Sequence, residues 1–206
     1  MKEITIPISP DIIQTLHTGD TVALTGILAT GRDAVHKWMI DTFIRKTRKP
    51  EGDDLEVYEA IKPIFKESII YHCGPIVSGV DSEDYKFVAA GPTTSIREEP
   101  YQSEVLHHFD MRGVIGKGGM GANTLKACQD VPAAYFHAIG GAATLIAQSV
   151  EKVLGVYKLD FGVPEAIWVL KVKGFPVVVT MDAHGVSIHD EVEAESRKKL
   201  QGLLLE

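Results

Sequence analysis

The sequence predicts an α/β or α+β fold, and three observations carry that prediction. Apolar residues alternate in short runs, beginning with Ile4, Ile6 and Ile8 on one face. Between such runs stand segments of helical period, the clearest having Val35, Trp38, Met39, Thr42 and Phe43 at i, i+3, i+4, i+7 and i+8. Glycine and proline breaks separate the two kinds of segment, which mix along the whole chain. The 206 residues suffice for one large domain or two small ones. The charged stretch 46–54, with Pro50 and Gly52, is the only plausible linker and is too short to separate domains, so one domain over 1–206 is expected.

Residues 2–8 read as a strand. Ser9 is placed to cap a short helix reaching residue 17, with Pro10 at its first position. Gly19-Asp20 turns the chain into a β-rich run, 21–29, and Thr30-Gly31-Arg32-Asp33 opens the periodic helix. Residues 68–77 read as a strand running into Gly74-Pro75, and 85–90 as another. A helix is expected over 101–109, a short strand over 113–116, a helix over 122–129 and a strand over 134–139. The small-residue stretch 142–153 reads as a helix. Residues 167–172 and 177–181 read as two strands joined by Lys173-Gly174-Phe175-Pro176, and 190–204 as a polar final helix.

Hydrophobic residues make up 45% of the chain and charged residues 24%, ordinary values for a globular protein with a sizeable core. The net charge of −7 argues against general affinity for nucleic acid or anionic membranes. No apolar run is long enough for a transmembrane helix, and the first residues lack an apolar signal core, so a cytoplasmic protein is expected. The two cysteines, Cys73 and Cys128, form no CxxC pair. They are too few to hold an iron–sulfur cluster with its usual thiolates, and they read as small buried residues.

Three separated stretches look built for one anion. In the first, an apolar run ends at Gly91-Pro92 and is followed by Thr93-Thr94-Ser95-Ile96-Arg97, which offers three hydroxyls and a guanidinium. Arg97 stands four residues after Thr93, so one turn can present both to a ligand. In the second, Lys117 lies between glycines, where backbone NH groups can also approach an anion. In the third, Arg32 lies at a helix start, where the dipole and free NH groups favour negative charge. Taken singly, each cation reads as a solvated surface charge, and Thr-Thr-Ser after Gly-Pro as a turn or cap.

These residues resemble the β subunit of the class I iron–sulfur fumarase and L-tartrate dehydratase family. The resemblance rests on Gly31-Arg32-Asp33-Ala34-Val35-His36-Lys37, Tyr71-His72-Cys73-Gly74-Pro75, Gly91 to Arg97, Gly116-Lys117-Gly118, Asp160 to Ala166 and Asp182-Ala183-His184-Gly185, in order over nearly the whole chain. It implies a swivelling β/β/α-type single domain with a mixed sheet and flanking helices, which closes over a C4 dicarboxylate. It implies Arg32, Arg97 and Lys117 as carboxylate ligands, Thr93 as a catalytic hydroxyl and Thr94 as a lesser candidate for the same place. It also implies a [4Fe-4S] cluster held by three cysteines of a separate α subunit, in an α2β2-type hetero-oligomer, with no metal ligand on this chain. Fumarate hydratase is the leading activity. L-tartrate dehydratase is the alternative, and a non-catalytic dicarboxylate-binding or assembly module is a third reading.

Other features read as structural. Gly116 to Gly121 matches GxGxxG but lacks the acidic residue that a dinucleotide fold would place at a strand end. His184 and His189 share no face at helical or strand period. His36 and Lys37 read as supports behind the anion ligands, His107-His108 as a solvated helix face, and Gly140-Gly141 as a site of close packing.

Overall fold

The structure is a computed structural model and describes residues 1–204. The chain runs β1 (Lys2–Thr5), α1 (Pro10–Gln14), β2 (Thr21–Thr30) and α2 (Asp33–Met39), which widens into a π-type turn at Ile40–Ile44. Then come α3 (Asp54–Phe65), β3 (Ile69–Tyr71) and a hairpin of β4 (Ile76–Ser78) with β5 (Lys86–Ala89). A 3₁₀ turn (Ser95–Glu98) leads into α4 (Glu99–Phe109), followed by β6 (Gly113–Gly116), α5 (Ala122–Asp130), β7 (Ala134–His137) and α6 (Ala143–Ala147). The chain closes with β8 (Val150–Tyr157), β9 (Ile167–Met181) and α7 (Ile188–Leu204).

The main sheet is mixed and has seven strands in the order β1-β2-β3-β6-β7-β9-β8. β1, β2, β3, β6 and β7 are parallel, while β9 runs antiparallel to its neighbours. β9 also pairs with β2, from Thr21↔Val178 to Ala29↔Val169, so β2, β3, β6, β7 and β9 form a closed ring of pairings. Successive residues on each strand face opposite sides. Tyr71, Ile115, Phe136, Trp168 and Phe175 share one core with β1 and α1. Ile70, Val114 and Tyr135 face a second core against α2, α3, α4 and α5, filled by Trp38, Met39, Ile61, Phe65 and Phe109. The expected buried face of α2 and its π turn is present, with Val35, Trp38, Met39, Thr42 and Phe43 all buried.

The mixed α/β class is as the sequence predicts, and four local expectations are corrected. Residues 142–153 are not one helix: α6 ends at Ala147 and β8 begins at Val150. Two register shifts in β8, between Val150 and Lys152 and between Val153 and Gly155, break the two-residue alternation. Its inward residues therefore fall at Val150, Val153 and Val156, a spacing that imitates a helix face. Residues 167–181 are one strand rather than two. At Lys173-Gly174-Phe175-Pro176 the strand changes neighbours, since β8 pairing stops at Val172 and β7 pairing begins at Val178. Pro176 thus sits where β9 has a partner on one side only, a position that tolerates a missing NH. Residues 68–77 split into β3 and β4. Ser9 makes no side-chain capping bond, although Pro10 does occupy the first turn of α1. The structure also adds α3, whose Val57, Ile61 and Phe65 are buried at helical spacing and whose Pro63 reads as a breaker in the sequence.

Candidate active site

Parallel strands bring their carboxyl ends to one edge of the sheet, the usual ligand edge of such sheets. Beyond β2 comes Gly31-Arg32, beyond β3 His72-Cys73-Gly74, beyond β6 Lys117, and beyond β7 the turn to Gly140. The segment after β5 is wedged between the ends of β3 and β6. Cys73 pairs with Pro92, and the Thr93 NH donates to the His72 carbonyl at 2.7 Å. The Lys117 NH donates to the Thr93 carbonyl at 3.2 Å, and the Ser95 NH donates to the Lys117 carbonyl at 3.0 Å. Gly116 is required here, because a Cβ at that position would collide with Ser95 Oγ.

Thr93 and Lys117 are therefore neighbours, as expected. The Thr93 hydroxyl is buried without a hydrogen-bond partner. Lys117 is half-buried and its aliphatic stem passes Gly140, whose added Cβ would lie 3.7 Å from Lys117 Cδ. Arg32 is placed beside Gly74, where any side chain would collide with the guanidinium, and so lies one residue from the Cys73–Pro92 pairing. It is already paired, with Nη1 3.1 Å from Glu165, while its Nε is buried without a partner. Glu165 also accepts from the Ala34 NH at the start of α2, at 3.2 Å. Arg97 is 47% exposed and reaches Asp33 at 3.2 Å, which ties it to the residue after Arg32. Thr94 is exposed, with its backbone paired to Lys117 and no capping bond, so its side chain does not share the buried position of Thr93.

Several residues of the site carry no signal in the sequence reading. Glu98 is fully buried, and neither carboxyl oxygen has a hydrogen-bond partner. Burial, and then the Asp33 charge, push its acid up to about 8. Behind these three stretches runs a buried polar chain. His36 Nδ1 lies 2.9 Å from the Arg32 carbonyl, and His36 Nε2 lies 2.9 Å from the Gln102 amide. The same amide lies 2.9 Å from His72 Nε2, whose Nδ1 is 2.8 Å from Ser95 Oγ. The Tyr135 hydroxyl donates to Ser95 Oγ at 2.9 Å. Burial lowers the basicity of both imidazoles, so both rings are neutral. His36 is thus a buried support behind Arg32, as the sequence reading has it.

The other histidines that the sequence reading singled out behave as structural residues. His184 stacks on His17 with ring centroids 4.5 Å apart, and His189 Nε2 lies 3.0 Å from Thr180 Oγ1. His107 and His108 are exposed on α4, and Gly91 packs against Ala143 just after Gly140-Gly141.

The residues present do not fit an iron–sulfur cluster. Cys73 and Cys128 are both buried, in cores on opposite faces of the sheet. Burial pushes each thiol up to about 12, far from the thiolate a cluster needs. Among the described residues no three His, Cys, Asp or Glu side chains gather as a metal site. A cavity of about 420 Å³ is lined by Ile6, Pro7, Ile27, Pro63 and neighbours near the amino end of β3. It is mostly apolar and, unlike the carboxyl edge, has no cluster of cations. No helix of the described residues is long and apolar enough to cross a membrane.

Comparison with known proteins gives the family. The family described as "Fumarase C-terminus" matches residues 2–192. A protein of Geobacillus stearothermophilus named "Putative fumarate hydratase class I" is 45% identical over 195 residues, covering 94% of this chain and 34% of that protein. The chain therefore spans about a third of that relative's length. The L(+)-tartrate dehydratase subunit beta of Escherichia coli K12 is 34% identical over 198 residues, covering 96% of this chain and 89% of the relative. A protein of Methanocaldococcus jannaschii bearing the same subunit name, also qualified as "Putative", is 38% identical over 194 residues and matched over 93% of both chains. The chain belongs to the fumarase C-terminus family.

Proposed function

We propose that this chain is the β subunit of a hydro-lyase that adds water to a C4 dicarboxylate, most simply fumarate to give L-malate. In this reading it is active with a separate α subunit that carries a [4Fe-4S] cluster. The observation that carries the reading is the unpartnered Thr93 hydroxyl, buried beside Lys117 at the carboxyl edge of the sheet with Arg32 on the same edge. A buried hydroxyl without a partner is costly unless a ligand supplies one. Arg32, Arg97 and Lys117 hold the two carboxylates of the substrate, with Arg97 exchanging Asp33 for substrate. Thr93 touches the carbon next to a carboxylate and orients it or passes its proton. A threonine hydroxyl is a weak base by itself, so the proton goes on to a neighbouring acceptor. Closing of this domain over the partner excludes bulk water.

A second reading is L-tartrate dehydratase, which differs by one substrate hydroxyl. It is favoured by the relatives that match over nearly their whole length, both of which carry that subunit name. Co-expression with a three-cysteine α chain under anaerobic conditions, then assay on fumarate, malate and tartrate, tests both. Turnover of fumarate and malate supports the first reading, and turnover of tartrate alone the second. Dicarboxylate binding without turnover of any of the three leaves a non-catalytic binding module and ends the enzymatic reading.

A further inference from the structure

We infer that Gln102 is a positioning residue: its side-chain amide joins His36 and His72 into one buried chain that holds Arg32, Thr93 and Lys117 in register. The inference rests on the proposed dicarboxylate site and names what keeps that site in shape.

The argument begins with proton counting. A neutral imidazole has one NH and one acceptor nitrogen. His36 Nδ1 faces the Arg32 carbonyl at 2.9 Å, and a carbonyl only accepts, so the His36 proton is on Nδ1. His36 Nε2 is then an acceptor, and the Gln102 atom 2.9 Å from it must donate. An amide turned by 180° about its last bond exchanges oxygen for NH2. With its NH2 between the rings, Gln102 has two hydrogens for two acceptors, His36 Nε2 and His72 Nε2, each 2.9 Å away. The His72 proton then lies on Nδ1 and is donated to Ser95 Oγ at 2.8 Å. The opposite orientation leaves the Gln102 NH2 buried with no acceptor. It also sets two lone pairs against each other at Arg32. The turned amide leaves its carbonyl oxygen and one hydroxyl proton of the Ser95–Tyr135 pair unmet, against two buried N–H donors and a lone-pair clash the other way, and so is the smaller cost.

Each anion-binding stretch hangs from this chain by its backbone. The Arg32 carbonyl holds His36, and the Thr93 NH is bound to the His72 carbonyl. The Lys117 carbonyl accepts from the Ser95 NH, while the Ser95 hydroxyl fills the space left by Gly116. Gln102, on α4, touches none of the three proposed ligands directly. A displacement of about 1 Å among reacting groups costs on the order of 100-fold in rate, so a strut of this kind matters to the chemistry.

The test uses Gln102→Leu and, should that variant fold poorly, Gln102→Glu, each in the full chain. Imidazole ¹⁵N spectra of the unaltered chain should show His36 and His72 as Nδ1-H tautomers. Amide hydrogen exchange at Thr93 and Lys117 should speed by at least about tenfold in the variants, with Val169 and Leu170 of β9 unchanged. In the complex with the α chain, kcat/KM should fall about tenfold or more at unchanged iron content. Nε2-H tautomers in the unaltered chain would overturn the proton assignment. Exchange that rises equally everywhere, or an unchanged kcat/KM, would make Gln102 a core fastening only. An unaltered complex that turns over no dicarboxylate, with the local exchange pattern as described, would end the functional reading and leave the strut standing.

Discussion

The Arg97 guanidinium lies 3.2 Å from the Asp33 carboxylate, across from the start of α2. Both side chains are nearly half exposed, so the pair adds little to stability. On the proposed site, Asp33 holds the place that a substrate carboxylate would take. Arg97→Met should therefore raise KM by roughly 10–100-fold, the equivalent of about 1.5–3 kcal/mol for a charged hydrogen bond. Asp33→Asn should act in the opposite direction on dicarboxylate affinity. Steady-state kinetics on the reconstituted complex decides this, and equal KM values for all three proteins would remove Arg97 from the site.

Thr93→Val separates chemistry from folding. The hydroxyl has no partner, so its removal should leave the thermal midpoint unchanged or slightly raised. If the hydroxyl moves a proton, kcat should fall about 10²–10⁴-fold with a smaller effect on KM. A kcat within a few-fold of the unaltered enzyme, at equal iron content, would make Thr93 a turn residue.

Glu98 predicts an unusual pH dependence of stability. Its acid is pushed up to about 8 in the fold, against about 4.5 when exposed. Between those values the folded chain keeps a proton that the unfolded chain has released, so stability falls as pH rises through this window. Glu98→Gln removes the penalty. Its stabilising effect should be absent below about pH 4.5, grow with pH, and reach on the order of 1–3 kcal/mol near pH 8. Urea melts at pH 5, 6.5 and 8 measure it, and an increment that does not change with pH would contradict the assignment.

Asp54 predicts the reverse. It is 1% exposed and receives Lys158 Nζ at 2.7 Å, Trp38 Nε1 at 2.8 Å and the Glu51 NH at 2.9 Å. Burial opposes its charge, but the Lys158 bond and the two NH donors outweigh that and hold its acid below the usual value of 3.8. The stability it contributes is present above that value and is lost as pH falls through the folded one. Asp54→Ala leaves Lys158 with Asp53 alone and the Trp38 and Glu51 NH groups without an acceptor, and should cost about 1–3 kcal/mol, read from chemical denaturation at pH 7. A loss under 1 kcal/mol would mean that Asp53, 2.5 Å from the same amine, replaces it.

The cationic half of the proposed site could be proposed from sequence because each cation follows a glycine-marked break after a strand, and strand ends are where a parallel sheet gathers its loops. Glu98 and Gln102 were not legible, for a shared physical reason. A glutamate after an arginine, or a glutamine in a polar helix, has the composition of a solvated face. Only the packing of α4 against α2 and the end of β3 makes Glu98 and Gln102 buried. Fold class was readable from period alone wherever strands were regular. It failed at β8, where bulges changed the period, and at Pro176, where a strand passes from one neighbour to another without turning.

That exchange of neighbours has a consequence for how the chain is made. β9 closes the ring by covering β2 near one end of the sequence and β7 much later. While the ribosome is still short of residue 167, β2 and β7 each present an open row of NH and CO groups to other nascent chains. The last pairing to form is also among the most distant along the chain, and such pairings form slowly. Synthesis of this polypeptide therefore passes through a sticky interval that ends only when the strand carrying Trp168 and Phe175 emerges, and holding chaperones should be found bound to chains stalled before that point and absent from chains stalled well after it.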